Sequence, residues 1–145
     1  MAPPAIYQNI TVQLDAAGAA TITPAQIDNG SSDACGIASI MLDEPMFGCA
    51  DVGANTVTLT VTDVNGNSST CTATVTVEDN VAPTAICQNI TVQLDAAGAA
   101  TITPAQIDNG SSDACGIASI MLDETMFGCA DVGANTVTLT VTDVN

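Results

Sequence analysis

Apolar and polar residues alternate along several short stretches of this chain, which is the pattern of half-buried β-strands. Turn-forming residues separate these stretches, and Asn65-Gly66 is the strongest short signal for a hairpin. Strands and turns recur about every 8–12 residues without a long helical period, which predicts an all-β sandwich with almost no helix. The stretches predicted to be strands are 10–14, 20–23, 36–42, 56–62 and 70–77.

The two faces of the predicted strands differ in chemistry. The outward face is largely Thr, in rows at 56, 58, 60, 62 and at 70, 72, 74, 76. Such hydroxyl rows can bind ice or glycans, but Thr is also a favourable exposed strand residue, and we prefer that interpretation. The inward, core-forming face is predicted to consist of Ile10, Val12, Leu14, Ile22, Val57, Leu59, Val61, Ala73, Val75 and Val77.

The whole pattern occurs twice. Residues 3–65 reappear as residues 83–145 with three differences, in which Pro4 corresponds to Thr84, Tyr7 to Cys87 and Pro45 to Thr125. Near-identity over a whole domain favours a unit stacked for length or valency, because a catalytic site needs to be built only once.

An 80-residue period divides the chain into two predicted domains, a first repeat at 1–80 and a second at 81–145, with a linker at 78–83. The second copy stops at Asn145, so it lacks the counterpart of the last strand, 70–77. We interpret the chain as an excerpt of a longer array or as a unit completed by a neighbouring chain. In the second case another copy donates the strand and closes the open sheet edge.

The charge balance is one-sided. The chain has no Lys, Arg or His against 16 Asp and Glu, and its net charge is −16. Nucleic acids and anionic membranes are bound through Lys and Arg, so both are excluded as direct partners. A hydrophobic content of 47% nevertheless predicts a folded core rather than a disordered acidic chain.

The same composition argues against an enzyme. Without His, Lys or Arg the chain offers no Ser/His or Cys/His pair and no phosphate clamp. A paired-carboxylate hydrolase using Asp43 and Glu44 is the remaining option. These two residues are better explained as the exposed corner before Pro45.

Four segments together carry a resemblance to a known family. They are "P-x-A-I-C-Q-N-I", "I-D-N-G-S-S-D-A-C-G", "V-G-A-N-T-V-T-L-T-V-T-D" and "N-G-N-S-S-T-C-T-A-T-V-T-V". This combination resembles the hyalin-type (HYR-like) immunoglobulin-like repeat, especially the versions in giant secreted adhesins of gliding Bacteroidota. The resemblance implies an extracellular or cell-surface, non-enzymatic repeat that is exported by the type IX pathway. By analogy it extends to multi-chain filaments of predatory marine gliders.

The expected function is therefore structural. We expect a repeat that gives an adhesin or surface filament its length, stiffness and cell attachment, with other copies of the same chain as partners. The alternative is an adhesion module that binds cell-surface glycans or another surface through its loops or Thr-rich faces.

Six cysteines lie at 35, 49, 71, 87, 115 and 129, with no C-x-x-C spacing and no His in the chain. This arrangement argues against zinc and favours disulfides in an oxidising compartment. Cys35 and Cys49 flank Asp43-Glu44-Pro45, so we expect a disulfide that staples the enclosed hairpin. Cys115 and Cys129 repeat this spacing.

Two pairings compete for Cys71. The family resemblance implies that position 7 pairs with Cys71 and that Cys87 pairs with a cysteine beyond the chain; position 7, however, is Tyr. The even number of cysteines favours instead a bond between Cys71 and Cys87. Both alternatives stay open at this point.

Acidic residues are predicted to gather at the end where the chain enters each repeat. Hard cations such as Ca²⁺ take carboxylate, amide and carbonyl oxygens, and no Lys or Arg competes for these groups. We therefore predict calcium sites that stiffen the junction, although Asp, Asn, Gly and Ser also simply form turns. The predicted ligands are Asp28, Asp33 and Asp63, with Glu78, Asp79, Asp108, Asp113 and Asp143 at the second repeat.

Overall fold

The computed structural model describes the whole chain, residues 1–145, as two compact units, Met1–Val81 and Ala82–Asn145. β-strands are the main regular secondary structure of both units, and neither α-helix is longer than four residues. The prediction of a mostly β chain with very little helix is confirmed. None of the helices has the length and apolar character that crossing a bilayer requires.

The first unit contains a four-stranded sheet in the order β1-β6-β5-β3 and a two-stranded sheet of β2 and β4. A short 3₁₀ helix, Cys49–Asp51, follows β4. The elements are β1 (Ile10–Gln13), β2 (Ala19–Thr21), α1 (Pro24–Ile27), β3 (Ile37–Leu42), β4 (Met46–Gly48), β5 (Gly53–Asp63) and β6 (Ser68–Glu78).

Strand β6 is the inner strand that holds the first unit's large sheet together. It pairs with β5 as a long antiparallel hairpin, from Gly53↔Val77 to Thr62↔Ser68. On its other edge it pairs with β1 in parallel, from Ile10↔Val75 to Gln13↔Glu78. The hairpin predicted from Asn65-Gly66 is confirmed, and the left-handed φ of 88° at Gly66 is the conformation that glycine accepts readily.

The core of the first unit lies on the inward face of β5 and β6. Their alternate residues Val57, Leu59, Val61, Ala73, Val75 and Val77 are all buried, as are Leu14 and Ile22. The sequence predicted all eight of these positions. Ile10 and Val12 are only half-buried, because β1 is a four-residue strand at the edge of the sheet.

Two core positions come from elements that the sequence pattern did not indicate. Ile27 is buried in α1, and Phe47 is buried in the three-residue strand β4. The start of α1 does carry a local signal: Thr23 precedes Pro24, and the backbone N–H of Thr23 donates to the Gln26 side chain at 2.8 Å. Pro at the first helical position and Gln three residues after the cap are both typical of a helix start.

The second unit reproduces only part of this arrangement. Its strands form two separate pairs, β7 with β9 and β8 with β10. Residues 90–93, which correspond to β1, and residues 133–138, which correspond to the first half of β5, form no strand. The elements are β7 (Ala99–Thr101), α2 (Pro104–Ile107), β8 (Ile117–Leu122), β9 (Met126–Gly128), the 3₁₀ helix Cys129–Asp131 and β10 (Leu139–Asp143).

Candidate functional sites

Asp63 stabilises the hairpin turn between β5 and β6 through hydrogen bonds. Its side chain is buried, and one carboxylate oxygen accepts hydrogen bonds from the backbone N–H groups of Asn65 and Asn67, each at 2.8 Å. The other oxygen accepts from the Asn67 side-chain amide, also at 2.8 Å. The Asn67 amide is the main reason that the pKa of Asp63 lies below its ordinary value, and it outweighs the opposing effect of burial.

Asp28 and Asp33 are also engaged by nearby donors. The Asp28 carboxylate accepts from the backbone N–H of Ser31 at 3.0 Å, and Asp33 accepts from that of Cys35 at 2.8 Å. Burial acts to raise the pKa of Asp28, but its hydrogen bonds with Ser31 lower the pKa overall. Asp28, Asp33 and Asp63 do not form a group whose carboxylate oxygens lie within 4.8 Å of one another.

In the second unit, the predicted ligands behave in the same way. Asp108 accepts from the backbone N–H of Ser111 at 3.0 Å, and hydrogen bonds from the Ser111 side chain and backbone lower its pKa. Asp113 accepts from the backbone N–H of Cys115 at 2.8 Å, and Asp143 from that of Asn145 at 3.1 Å. Each of these carboxylates is held within its own turn.

The remaining predicted ligands, Glu78 and Asp79, end the first unit. The Glu78 carboxylate accepts from the side-chain amide of Gln13 at 2.5 Å. Asp79 accepts from the backbone N–H of Val81 at 3.0 Å. Calcium binding at these acidic residues stays a prediction.

The cysteines do not form the predicted hairpin disulfides. In the first unit Cys35 and Cys71 are free thiols and Cys49 is disulfide-bonded. In the second unit Cys87 and Cys129 are free and Cys115 is disulfide-bonded. The pairs Cys35–Cys49, Cys115–Cys129 and Cys71–Cys87 are therefore absent.

The topology explains this correction. The expected staple required the strands on either side of Asp43-Glu44-Pro45 to form a hairpin, but β3 pairs with β5 and β4 pairs with β2. The two strands thus belong to different sheets. Cys35 lies before a strand of six residues and Cys49 after one of three, so the two cysteines are also at unequal distances from the corner.

The segment that precedes β1 runs beside the strand that carries Cys71, since the Asn9 side chain accepts from the backbone N–H of Thr74 at 2.9 Å. Burial and the nearby Asp28 carboxylate raise the pKa of the Cys71 thiol. Asp28 in turn forms an isolated β-bridge with Tyr7. Position 7 and Cys71 therefore share Asp28 as a neighbour, and in the second unit Cys87 forms the matching bridge with Asp108.

The Thr rows of β5 and β6 lie opposite one another in register. Thr56 pairs with Thr74, Thr58 with Thr72 and Thr60 with Thr70. Since the alternate residues of both strands point into the core, these hydroxyls share the outward face of the hairpin. They form an uncharged, polar surface.

A wide cleft opens in the second unit, and the sequence did not predict it. Its volume is about 800 Å³. It lies between residues 90–93 and residues 133–137, and Ile102, Ile107 and Phe127 line its apolar part. In the first unit the corresponding space is occupied by β6, which lies between β1 and β5. The sequence signal for the cleft is that residues 1–145 include the β6 sequence once, whereas they include the rest of the repeat twice.

Comparison with known proteins adds no further constraint. No family model matches the chain, and neither a curated protein nor a solved structure matches it.

Proposed function

We propose that this chain is a tandem, immunoglobulin-like β-sandwich repeat of a very long extracellular adhesin or multi-chain surface filament. Its role is to provide length, stiffness and cell attachment. The observation that carries the proposal is the repeat: 63 consecutive residues recur 80 positions later with three differences. Repetition of a whole domain multiplies reach and surface, which benefits a stalk or filament more than a catalyst.

The architecture of the first unit supports the sandwich part of the proposal. A four-stranded sheet contributes Val57, Leu59 and Val75 to the core, and the β2-β4 sheet contributes Phe47. Two sheets that share one core are what a sandwich requires. The short turns and absence of long helices fit the same fold class.

Charge and cysteine content support the location and the partners. A chain with a net charge of −16 and no basic residue suits salty water, where cations screen its carboxylates. Disulfide-bonded Cys49 and Cys115 fit an oxidising environment. The proposed partners are other copies of the same chain, and calcium is the proposed cofactor.

The test is labelling of intact source cells with an antibody raised against this chain, followed by electron microscopy. We expect label along extracellular fibres, at repeated intervals, without permeabilising the cells. Label confined to the cell interior, or confined to single points on the envelope, contradicts a stalk or filament role.

The in-register Thr ladder favours one second candidate, an adhesion module that binds glycans or another surface. The test compares the chain with a variant carrying Thr58→Val, Thr60→Val and Thr72→Val on a glycan array. Val keeps the β-branched shape and removes the hydroxyl, so the fold is retained. Binding that the variant loses supports the adhesion module, whereas no binding by either protein supports the structural role.

A further inference from the structure

Both units expose methionines at the same two positions of the repeat. Met41 and Met46 are 62% and 66% exposed in the first unit, and Met121 and Met126 are 62% and 68% exposed in the second. Apart from Met1, they are all the methionines of the chain. Side chains with this exposure gain little from the hydrophobic effect, so core packing does not account for them.

The strands place threonines opposite these methionines. Met41 lies in β3 opposite Thr60, and Met46 lies in β4 opposite Thr21. The next residue of β4, Phe47, is buried and provides the core contact of that strand. The second unit repeats both pairings with threonine. The thioether at the outer end of each methionine is therefore open to small reagents in the solvent.

The buried core contains no sulfur, the atom that peroxides oxidise most readily. Its apolar members are Leu, Ile, Val, Ala and Phe. The chain has no Trp and no His, and its single Tyr is 45% exposed. Oxidation at the exposed methionines therefore places the new polar oxygen in water and leaves the packed interior unchanged.

We propose that Met41, Met46, Met121 and Met126 are oxidation sites at which the chain consumes neutral peroxides, such as hydrogen peroxide, without losing its fold. The sulfur lone pair attacks one peroxide oxygen, and the O–O bond breaks as the S–O bond forms. The proton of the transferred oxygen passes to the departing hydroxide, which leaves as water. Each thioether loses two electrons and reduces one peroxide. This inference stands on exposure and charge and does not depend on the proposed function.

Charge favours a neutral oxidant at these sites. Asp43 and Glu44 lie between the two methionines of the first unit, and Asp123 and Glu124 lie between those of the second. All four carboxylates are exposed, in a chain of net charge −16 without a basic residue. The resulting negative potential repels anionic oxidants and does not act on uncharged hydrogen peroxide.

The first experiment measures the oxidation rate of each methionine in the 145-residue chain. Free thiols are blocked with N-ethylmaleimide, hydrogen peroxide is added, and fragmentation mass spectrometry follows each sulfoxide. The reference is the same chain unfolded in concentrated urea. We expect each of the four sites to oxidise within about fivefold of its rate in the unfolded chain, because folding leaves the thioethers exposed. A slower rate at any of the four overturns the assignment of that site.

A Leu59→Met variant is the matched control for exposure. Leu59 is fully buried in β5, and exchange of Leu for Met conserves volume, so the fold is retained. We expect the thioether at position 59 to oxidise at least about tenfold more slowly than Met41 in the same molecule, because oxidation there requires opening of the fold. Equal rates at the two positions overturn the proposal, since exposure would then not select the sites.

Fold retention and peroxide consumption are measured on the same oxidised chain. We expect its circular dichroism spectrum and its urea midpoint to stay unchanged after all four sulfoxides have formed. A variant carrying Met41→Leu, Met46→Leu, Met121→Leu and Met126→Leu should consume four fewer equivalents of hydrogen peroxide per chain. A lower urea midpoint after oxidation, or equal consumption by the two chains, overturns the proposal.

An anionic oxidant, peroxymonosulfate, tests the selectivity for neutral peroxides. We expect added salt to speed oxidation of the four methionines by peroxymonosulfate at least about twofold, because salt screens the carboxylates of the chain. The same salt should leave the rate with hydrogen peroxide unchanged. An equal response to salt with both oxidants overturns the selectivity.

Discussion

The two units are almost identical in sequence and differ in structure. Ile10–Gln13 is a strand in the first unit, whereas the same four residue types at 90–93 form no strand in the second. Residues 53–58 belong to β5, whereas their identical counterparts at 133–138 form no strand. The local preference for β-structure is the same in both places. The difference shows that a neighbouring strand, here β6, decides whether these residues become a sheet.

The largest expected effect comes from breaking β6 in the first unit. A Val75→Asp variant places a carboxylate at a position that is fully buried, in a chain without a basic partner. We expect the first unit to lose at least about 3 kcal/mol of unfolding free energy, because an unpaired buried charge is costly. Urea unfolding followed by circular dichroism measures the loss.

The matched control for this variant is Thr72→Asp, which adds the same charge to an exposed position of the same strand. We expect it to change stability by no more than about 0.5 kcal/mol. A comparable loss in both variants would show that added negative charge, rather than burial, determines the result.

A second variant should abolish the difference between the units. Adding residues 66–80 after Asn145 supplies the second unit with its own β6 sequence. We expect residues 90–93 and 133–138 to become strands, with slow hydrogen exchange, and we expect Val137 to become buried. The added burial of two valines is worth on the order of 3–6 kcal/mol before the cost of ordering the strand. Unchanged exchange in these residues contradicts the dependence on β6.

A smaller effect is expected at the turn before β7. Gly98 has a φ of 75°, and a Cβ added there would lie 2.7 Å from the Cys129 sulfur. Gly110 has a similar positive φ of 93° but nothing within 4 Å of such a Cβ. We expect Gly98→Ala to cost about 0.5–1 kcal/mol more than Gly110→Ala, because the left-handed backbone is common to both and only Gly98 also requires the exposed Cys129 side chain to change its rotamer. Thermal unfolding of the two variants measures the difference.

Acid should destabilise the first unit by protonating Asp63 in its hairpin turn. Because hydrogen bonds lower the folded-state pKa of Asp63 below the ordinary 3.8, the ionised carboxylate stabilises the fold. Its contribution is complete above pH 3.8 and is lost as the pH falls through the lower folded-state value. We expect an Asp63→Asn variant to show a flatter fall in stability below this pH than the unmodified chain. Superimposable curves would show that Asp63 does not contribute.

The smallest expected effect is that of calcium. If the acidic turns bind Ca²⁺ weakly, millimolar calcium should raise the melting temperature by a few degrees relative to chelator, by mass action. Equimolar magnesium is the control, because it needs a more regular octahedral site. No difference between calcium and chelator excludes a stabilising calcium site.

Much of the first unit was predictable from its sequence because β5 and β6 are long and strictly alternating. The two-residue alternation of apolar and polar positions and the Asn65-Gly66 turn were enough to predict the β5–β6 hairpin and eight core positions. Short elements were not predictable in this way: β4 has three residues and α1 has four, too few for a period to show. The disulfide prediction was wrong for a related reason, since neighbouring strands in sequence were assumed to pair in space.

The candidate sites were only partly predictable. The predicted acidic residues lie at strand ends and in turns, as Asp63 at the end of β5 shows, but composition could not show that nearby N–H groups would engage the carboxylates. The cleft could not be predicted from local sequence patterns, because its two edges are about 40 residues apart in sequence, at 90–93 and 133–137.

The tight turn that precedes β6 also matters during folding. Residues 53–63 and 133–143 are identical, so a folding β6 meets two equivalent partners. Pairing with β5 closes a loop of four residues, whereas pairing with 133–143 closes one of about 55. The shorter loop is favoured by about 2 kcal/mol of chain entropy. Among near-identical repeats, this short turn therefore favours pairing of each strand within its own repeat and limits misfolding by strand exchange.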